Sequence, residues 1–238
     1  MFISEGGTTE REFKLVPSGS HLAICYGIVE LGTQKYVYMG EEKAGKQLRL
    51  MWELHGDDGD GEPLALSDGR PLSISQRYTK SLHEKSKLRQ HIVSWRGGKD
   101  FTPEELGQVR GQKGWDIRSL LGKHCMLMIK HSIKGDRTFA NVDNVTTVPA
   151  VIKKLGLPTQ QNESIYFSFD HFSAEALSQV SQNLQKTIMQ SPEYERACSP
   201  KPAAIIGKPS KHAEAEDWFD KHDQLNGMKG IDDEDIPF

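Results

Sequence analysis

Apolar residues in this chain recur mainly with period two, in short runs separated by turn-forming residues. The first run is His21-Leu22-Ala23-Ile24-Cys25-Tyr26-Gly27-Ile28-Val29-Glu30-Leu31. It is apolar on both faces, and a glycine inside a long strand such as Gly27 marks a bulge or a barrel corner. Tyr36-Val37-Tyr38 reads as a short further pairing segment, followed by a Gly/Lys loop over residues 40–46. In Gln47 to Leu54, Leu48, Leu50, Trp52 and Leu54 share one face, and Arg49, Met51 and Glu53 share the other, which predicts Trp52 in the core. Pro71 to Thr79 alternates as a third strand entered from a turn at Asp68-Gly69. Cys125 to His131 and Arg137 to Val142 flank Gly135-Asp136 and predict a hairpin.

Between the third and fourth strands the period changes. Ser81-Leu82-His83-Glu84 is a capping box with Leu88, Ile92 and Trp95 at i, i+4 and i+7 behind it, and Gly97-Gly98 stops the pattern. Thr102-Pro103-Glu104-Glu105 is a second box with proline at the first helical position, and Asp116 caps a third short helix ending at Gly122. Three strands, helices, then two strands is the order of the OB-fold, a five-stranded barrel that binds oligonucleotides on an open face. The expected organisation is a lead-in over residues 1–20, the barrel over 21–150 with a helical insert at 82–122, and an extension over 151–196. In that extension Tyr166-Phe167-Ser168-Phe169 should pair with or pack on the barrel. Ser173 should cap an amphipathic helix whose Leu177, Val180, Leu184 and Ile188 dock against it. Residues 197–238 read as a flexible Pro/Lys linker and a disordered acidic tail.

Charge changes the picture once the chain is divided. The formal net charge of −3 hides a tail (201–238) with five lysines against nine acids, a net of −4; the rest carries 25 basic and 24 acidic residues. A nucleic-acid footprint on the body is therefore a local patch. The three cysteines lie far apart with no metal-ligand spacing, which points to buried or idle thiols in a reducing compartment. The chain shows no signal-like start and no run of 18 apolar residues, so the expectation is a cytoplasmic protein without a membrane partner.

Phosphate-loop and zinc spacings are missing, and the acidic tip Asp58-Gly59-Asp60-Gly61-Glu62 has Pro63 where a calcium loop needs glycine. No cofactor, metal or catalytic group is expected. Sequence-tolerant binding of a single strand needs cations interleaved with aromatic faces. Such residues lie on or beside the predicted strands: Lys35, Tyr36, Tyr38, Arg49, Arg77, Tyr78, Lys80, Lys130, Lys134, Arg137 and Phe139. Tyr78 or Tyr36 is expected to stack a base, with Arg49, Arg77, Lys80, Lys130 and Arg137 on phosphates. Five such contacts predict a slope of log affinity against log salt of about −3.5.

In the tail, Asp232, Asp233, Glu234 and Asp235 run into Ile236, Pro237 and Phe238, a pattern suited to a basic-rimmed apolar pocket on a partner. This ending resembles that of bacterial and phage single-stranded-DNA-binding proteins. The segment Ser75 to Leu88, Trp95-Arg96-Gly97, Leu121-Gly122-Lys123-His124-Cys125 and Ser191-Pro192-Glu193-Tyr194 resemble, in that order, phage-encoded OB-fold single-stranded-DNA-binding proteins. The resemblance implies coating of single strands in phage replication, recombination or repair, in the host cytoplasm, with the tail recruiting replication or recombination proteins. Two other classes stay open: a protein-interaction adaptor using the barrel, and a magnesium nuclease using Asp57, Asp58, Asp60 and Glu62.

Overall fold

The computed structural model describes residues 14–111 and 114–199. Six strands form one open antiparallel sheet: β1 (Gly19–Tyr38), β2 (Glu41–His55), β3 (Ser73–Thr79), β4 (His124–Lys134), β5 (Arg137–Thr146) and β6 (Ile165–Phe167). They are ordered β3-β2-β1-β4-β5, with β6 also pairing β1. The helices are α1 (Lys87–Trp95), α2 (Ala150–Leu155), α3 (Ala174–Ser178), α4 (Gln182–Met189) and α5 (Pro192–Cys198). The fold is mainly β, with its helical segments between β3 and β4 and after β5.

Two compact units share these elements. The first comprises residues up to Val29, Arg49–Gln76 and His91–Tyr166; the second comprises Glu30–Leu48, Arg77–Gln90 and residues from Phe167 on.

In the first unit the two-faced apolar pattern of β1 becomes a core of Ala23, Ile24, Cys25, Ile28 and Val29 packed with Leu50, Trp52, Leu54, Leu127, Ile129, Val142 and Val145, all nearly inaccessible. Trp52 meets Trp95 of α1 at 6.4 Å between ring centroids, and burial of each such side chain contributes about 1.5–3 kcal/mol. Gly27 gives Met51 room: a Cβ there would overlap the Met51 methyl and lie 3.1 Å from the Met51 Cβ. Cys25 and Cys125 are buried, and burial pushes the Cys25 thiol up to about 12. The loop before β1 is tied down, with the Val16 carbonyl accepting from His131 Nε2 at 2.8 Å.

In the second unit Thr33 donates from both its backbone N–H and its hydroxyl to the Glu193 carboxylate (2.8 and 2.7 Å), fastening α5 to β1. Gly32, at φ +74°, lets Ser191 approach; a Cβ there would lie 2.6 Å from the Ser191 hydroxyl. Gln34 donates to the carbonyl of Thr187 on α4 (3.0 Å). Phe167, Phe169, Phe172 and Tyr194 meet edge to face at 5.4–6.1 Å.

Several boundaries differ from the sequence reading for identifiable reasons. Tyr36-Val37-Tyr38 is the end of β1, and the expected 40–46 loop is the start of β2. Met39 and Gly40, both left-handed (φ +51° and +80°), make a two-residue turn that pairs polar residues with no apolar alternation to announce them. The cap of α1 is Ser86, five residues past the expected Ser81; its Oγ accepts from Arg89 N at 3.2 Å while donating to the Ser81 carbonyl. The Thr102/Glu105 box forms reciprocally (3.0 and 3.3 Å), but Gly107 at φ +71° ends it after one turn. Ser173 caps as expected, yet the stripe is divided, with Leu177 on α3, Val180 in the link and Leu184 and Ile188 on α4, all four side chains buried.

Candidate nucleic-acid interface

The β4–β5 ladder brings four of the expected residues onto one face. Its register pairs Lys130 with Asn141, Ser132 with Phe139 and Lys134 with Arg137. Directly paired residues lie on the same face, and residues two apart on one strand share it. Lys130, Lys134, Arg137 and Phe139 therefore share one surface with Ser132 and Asn141. The three cations are exposed and Phe139 is half-buried, opposite Ser132 and between the Lys134–Arg137 and Lys130–Asn141 pairs. Asn141 donates to the Ser132 hydroxyl at 2.8 Å, bracing this face. Lys130 pairs with Asp143 at 2.9 Å, but both side chains are well exposed, so the pair is worth only about 0–1 kcal/mol and can be exchanged for a phosphate. A bulge between Met128 and Ile129 leaves Met128 exposed on the same strand. The result is a two-stranded ribbon whose face carries Lys134 and Arg137 as a pair on one side of an aromatic ring and Lys130 on the other.

Arg49 belongs to a different strand pair in the first unit. It is half-buried and donates from Nη1 to the Ser75 hydroxyl on β3 at 3.2 Å.

The remaining expected residues lie in the second unit. Lys35 is exposed and Tyr36 half-buried, and as strand neighbours they point to opposite faces. The Tyr36 ring lies against Gly45, 3.6 Å from where a Cβ would stand. The side chain of Tyr38 is outside the described residues. Arg77 is half-buried and engaged in contacts of its own. Two expectations are corrected here. Tyr78 is 1% exposed, so its ring is core and presents no face to a base. Lys80 is not an uncommitted phosphate contact: its ammonium donates to Glu30 Oε1 at 2.6 Å, beside the Ser168 hydroxyl and Phe169 N–H that the same nearly buried carboxylate accepts from (both 3.1 Å). The tail residues Asp232, Asp233, Glu234, Asp235, Ile236, Pro237 and Phe238 lie outside the described residues.

Glu53, expected on the outer face of β2, is wholly buried. It accepts from His55 Nε2 (2.9 Å), Gln161 N (2.8 Å), Asn162 N (2.7 Å) and Asn162 Nδ2 (2.8 Å). Burial pushes its carboxyl up, but these hydrogen bonds more than offset that and hold it below the usual carboxylate range. It anchors the 158–162 loop and takes no part in an exposed surface. In the acidic tip, Asp58 Oδ1 accepts from the Asp60 and Glu62 N–H groups (2.9 Å each), closing the turn on itself. Among the described residues no group of three His, Cys, Asp or Glu side chains is placed to hold a metal ion, and no helix is long and apolar enough to cross a membrane.

No protein-family model matches the chain, and none of the curated proteins is similar to it.

Proposed function

We propose that the chain binds single-stranded DNA non-catalytically and with little sequence preference, in phage replication, recombination or repair, within the host cytoplasm. The observation that carries this reading is the outer face of the β4–β5 ribbon, where Lys130, Lys134 and Arg137 surround Phe139. A cation row tracks a phosphate backbone, and an aromatic ring beside it takes any base, because every base has a π-face. The strand order supports an OB-fold reading as well. In that barrel β1 lies between β2 and β4, the helical element falls between β3 and β4, and β3 and β5 are the strands that approach on closure. The motifs Trp95-Arg96-Gly97 and Ser191-Pro192-Glu193-Tyr194 add the sequence resemblance, and the acid-then-Ile-Pro-Phe segment is read as a recruiting element for replication or recombination proteins.

The test is a mobility shift of the full chain and of a chain truncated after Lys229, on single- and double-stranded oligonucleotides across a salt series. Salt-dependent retention of single strands, preferred over duplex, is expected. Failure to retain oligo-dT at low salt would overturn the reading and leave the adaptor alternative. Cleavage of labelled DNA in magnesium would replace it with the nuclease.

A further inference from the structure

The first unit also holds a cleft of about 450 Å³, built by the segment between β3 and β4, the start of β4, the end of β5 and α2. Its aromatic wall is Trp95 and Trp115, its cations are Arg96, Lys123 and Lys153, and among the described residues bordering it none is acidic. The wall is fixed before any ligand arrives. Trp95 Nε1 donates to the His124 carbonyl at 2.8 Å. Arg96 is committed, donating to both Glu105 oxygens (2.8 and 3.1 Å) and lying 4.8 Å over the Phe101 ring. Phe101 in turn meets Trp115 edge-on at 5.3 Å, and Trp115 N–H donates to the Glu105 carbonyl at 2.7 Å. Trp115 is thus held by its backbone and by the Phe101 ring, and its side chain is half-buried. Lys123 and Lys153 differ from Arg96: both are exposed, and their ammonium groups make no ion pair among the described residues.

We propose that this cleft seats one unpaired nucleotide, its base against the Trp115 ring and its phosphate held by Lys123 and Lys153. A half-buried indole lining the cleft offers a flat apolar surface, and two exposed ammonium groups in the same cleft suit an anion attached to a flat group. The Ser119 and Thr147 hydroxyls supply further hydrogen-bonding capacity. An acidic peptide would satisfy the lysines too, but joins charge to a flat group only where it holds an aromatic residue, whereas every nucleotide joins an anion to a planar face, and the peptide probe separates the two. Lys123 immediately precedes β4 and Lys134 ends it, about 36 Å away along an extended strand. The seat therefore lies at the opposite end of β4 from the cationic ribbon tip, and a strand engaging both would run along β4. As part of a DNA path the seat rests on the single-stranded-DNA reading; a free nucleotide would offer the same chemistry.

The test uses the full chain. A bromodeoxyuridine-substituted oligo-dT is photocrosslinked and the adduct mapped, and affinities are measured for Trp115→Leu and for a Lys123→Glu/Lys153→Glu double variant. Free dTMP and a synthetic peptide of residues 231–238 serve as the other probes. A crosslink at Trp115 is expected, with roughly tenfold weaker binding by Trp115→Leu. The lysine variant, which alters exposed side chains and should melt like the wild type, is expected to lose about 1.4 from its salt slope. If the wild type binds the oligonucleotide but crosslinks elsewhere, and both variants bind as tightly, the seat is refuted while the single-strand reading stands. If no oligonucleotide binds but dTMP quenches the tryptophan emission of the wild type and not that of Trp115→Leu, the seat survives for a free nucleotide and the strand reading fails. Quenching by the peptide alone overturns the proposal.

Discussion

Replacing Lys130, Lys134 and Arg137 together by alanine removes the cations of the β4–β5 ribbon without touching a buried side chain, since all three are exposed. The size of the effect follows from the contacts that remain available. Five phosphate contacts had predicted a salt slope of about −3.5, but Lys80 is bound to Glu30, Arg49 to Ser75, and Arg77 is half-buried with contacts of its own, while Lys134 joins Lys130 and Arg137 on the ribbon. The ribbon alone predicts about −2.1, at −0.7 for each of three contacts. Each contact is then worth a factor of about 2.6 in affinity between 50 and 200 mM salt, and the three together about 18. The assay is fluorescence anisotropy of labelled oligo-dT at five or more salt concentrations, with the wild type and the variant melted in parallel. The variant should lose about 2 from the slope and bind more weakly at low salt than at high salt relative to the wild type. A variant that keeps its melting temperature and also keeps the wild-type slope would refute the ribbon as the phosphate track, whatever its absolute affinity. Asp143→Asn refines the argument. Freeing Lys130 from its exposed partner should tighten binding slightly, and a weakening would mean that Lys130 acts by another route.

Other substitutions separate binding from stability. Phe139→Ala should weaken every oligonucleotide by about 1–3 kcal/mol in the same anisotropy assay, with no loss of salt slope; a change in slope alone would contradict stacking. Lys80→Ala should leave DNA affinity near wild type yet destabilise by about 1–3 kcal/mol, because it strips a donor from the nearly buried Glu30; thermal melting should fall by several degrees. Glu53→Gln should cost about 3 kcal/mol or more, by weakening four hydrogen bonds to a buried charge. Because the folded-state pKa of Glu53 is depressed, its contribution is fully present above the unfolded carboxylate range near 4.3 and is lost as pH falls through the folded value. The wild type should therefore lose melting temperature on acidification more steeply than Glu53→Gln, and parallel curves would exclude Glu53 as a source of acid sensitivity.

The strands were legible where a continuous apolar run or apolar alternation was long enough, as in β1 and in Leu48 to Leu54 respectively, and so was the placement of helices between β3 and β4. Turn chemistry at Gly135-Asp136 also sufficed to place the ribbon that carries Lys134 and Arg137. Illegible were features decided by partners distant in sequence. Glu53 looked like a surface acid because nothing near it announces Gln161 and Asn162, which sit more than one hundred residues away. Tyr78 and Lys80 flank a strand end in the way a binding site would, and only the packing around Glu30 shows that one is core and the other a counter-ion. The β1–β2 turn was missed because it relies on Met39 adopting a left-handed backbone, which methionine does not advertise. Trp115, Lys123 and Lys153 carry no shared periodicity; they meet through three separate segments of chain.

The three thiols are unequal in a way that has a practical use. Cys25 and Cys125 are sealed in the core, whereas Cys198 stands open to solvent at the close of α5. A maleimide dye added to the native protein should therefore attach at one position without any engineering. From there it would report on changes around α5 when a ligand arrives.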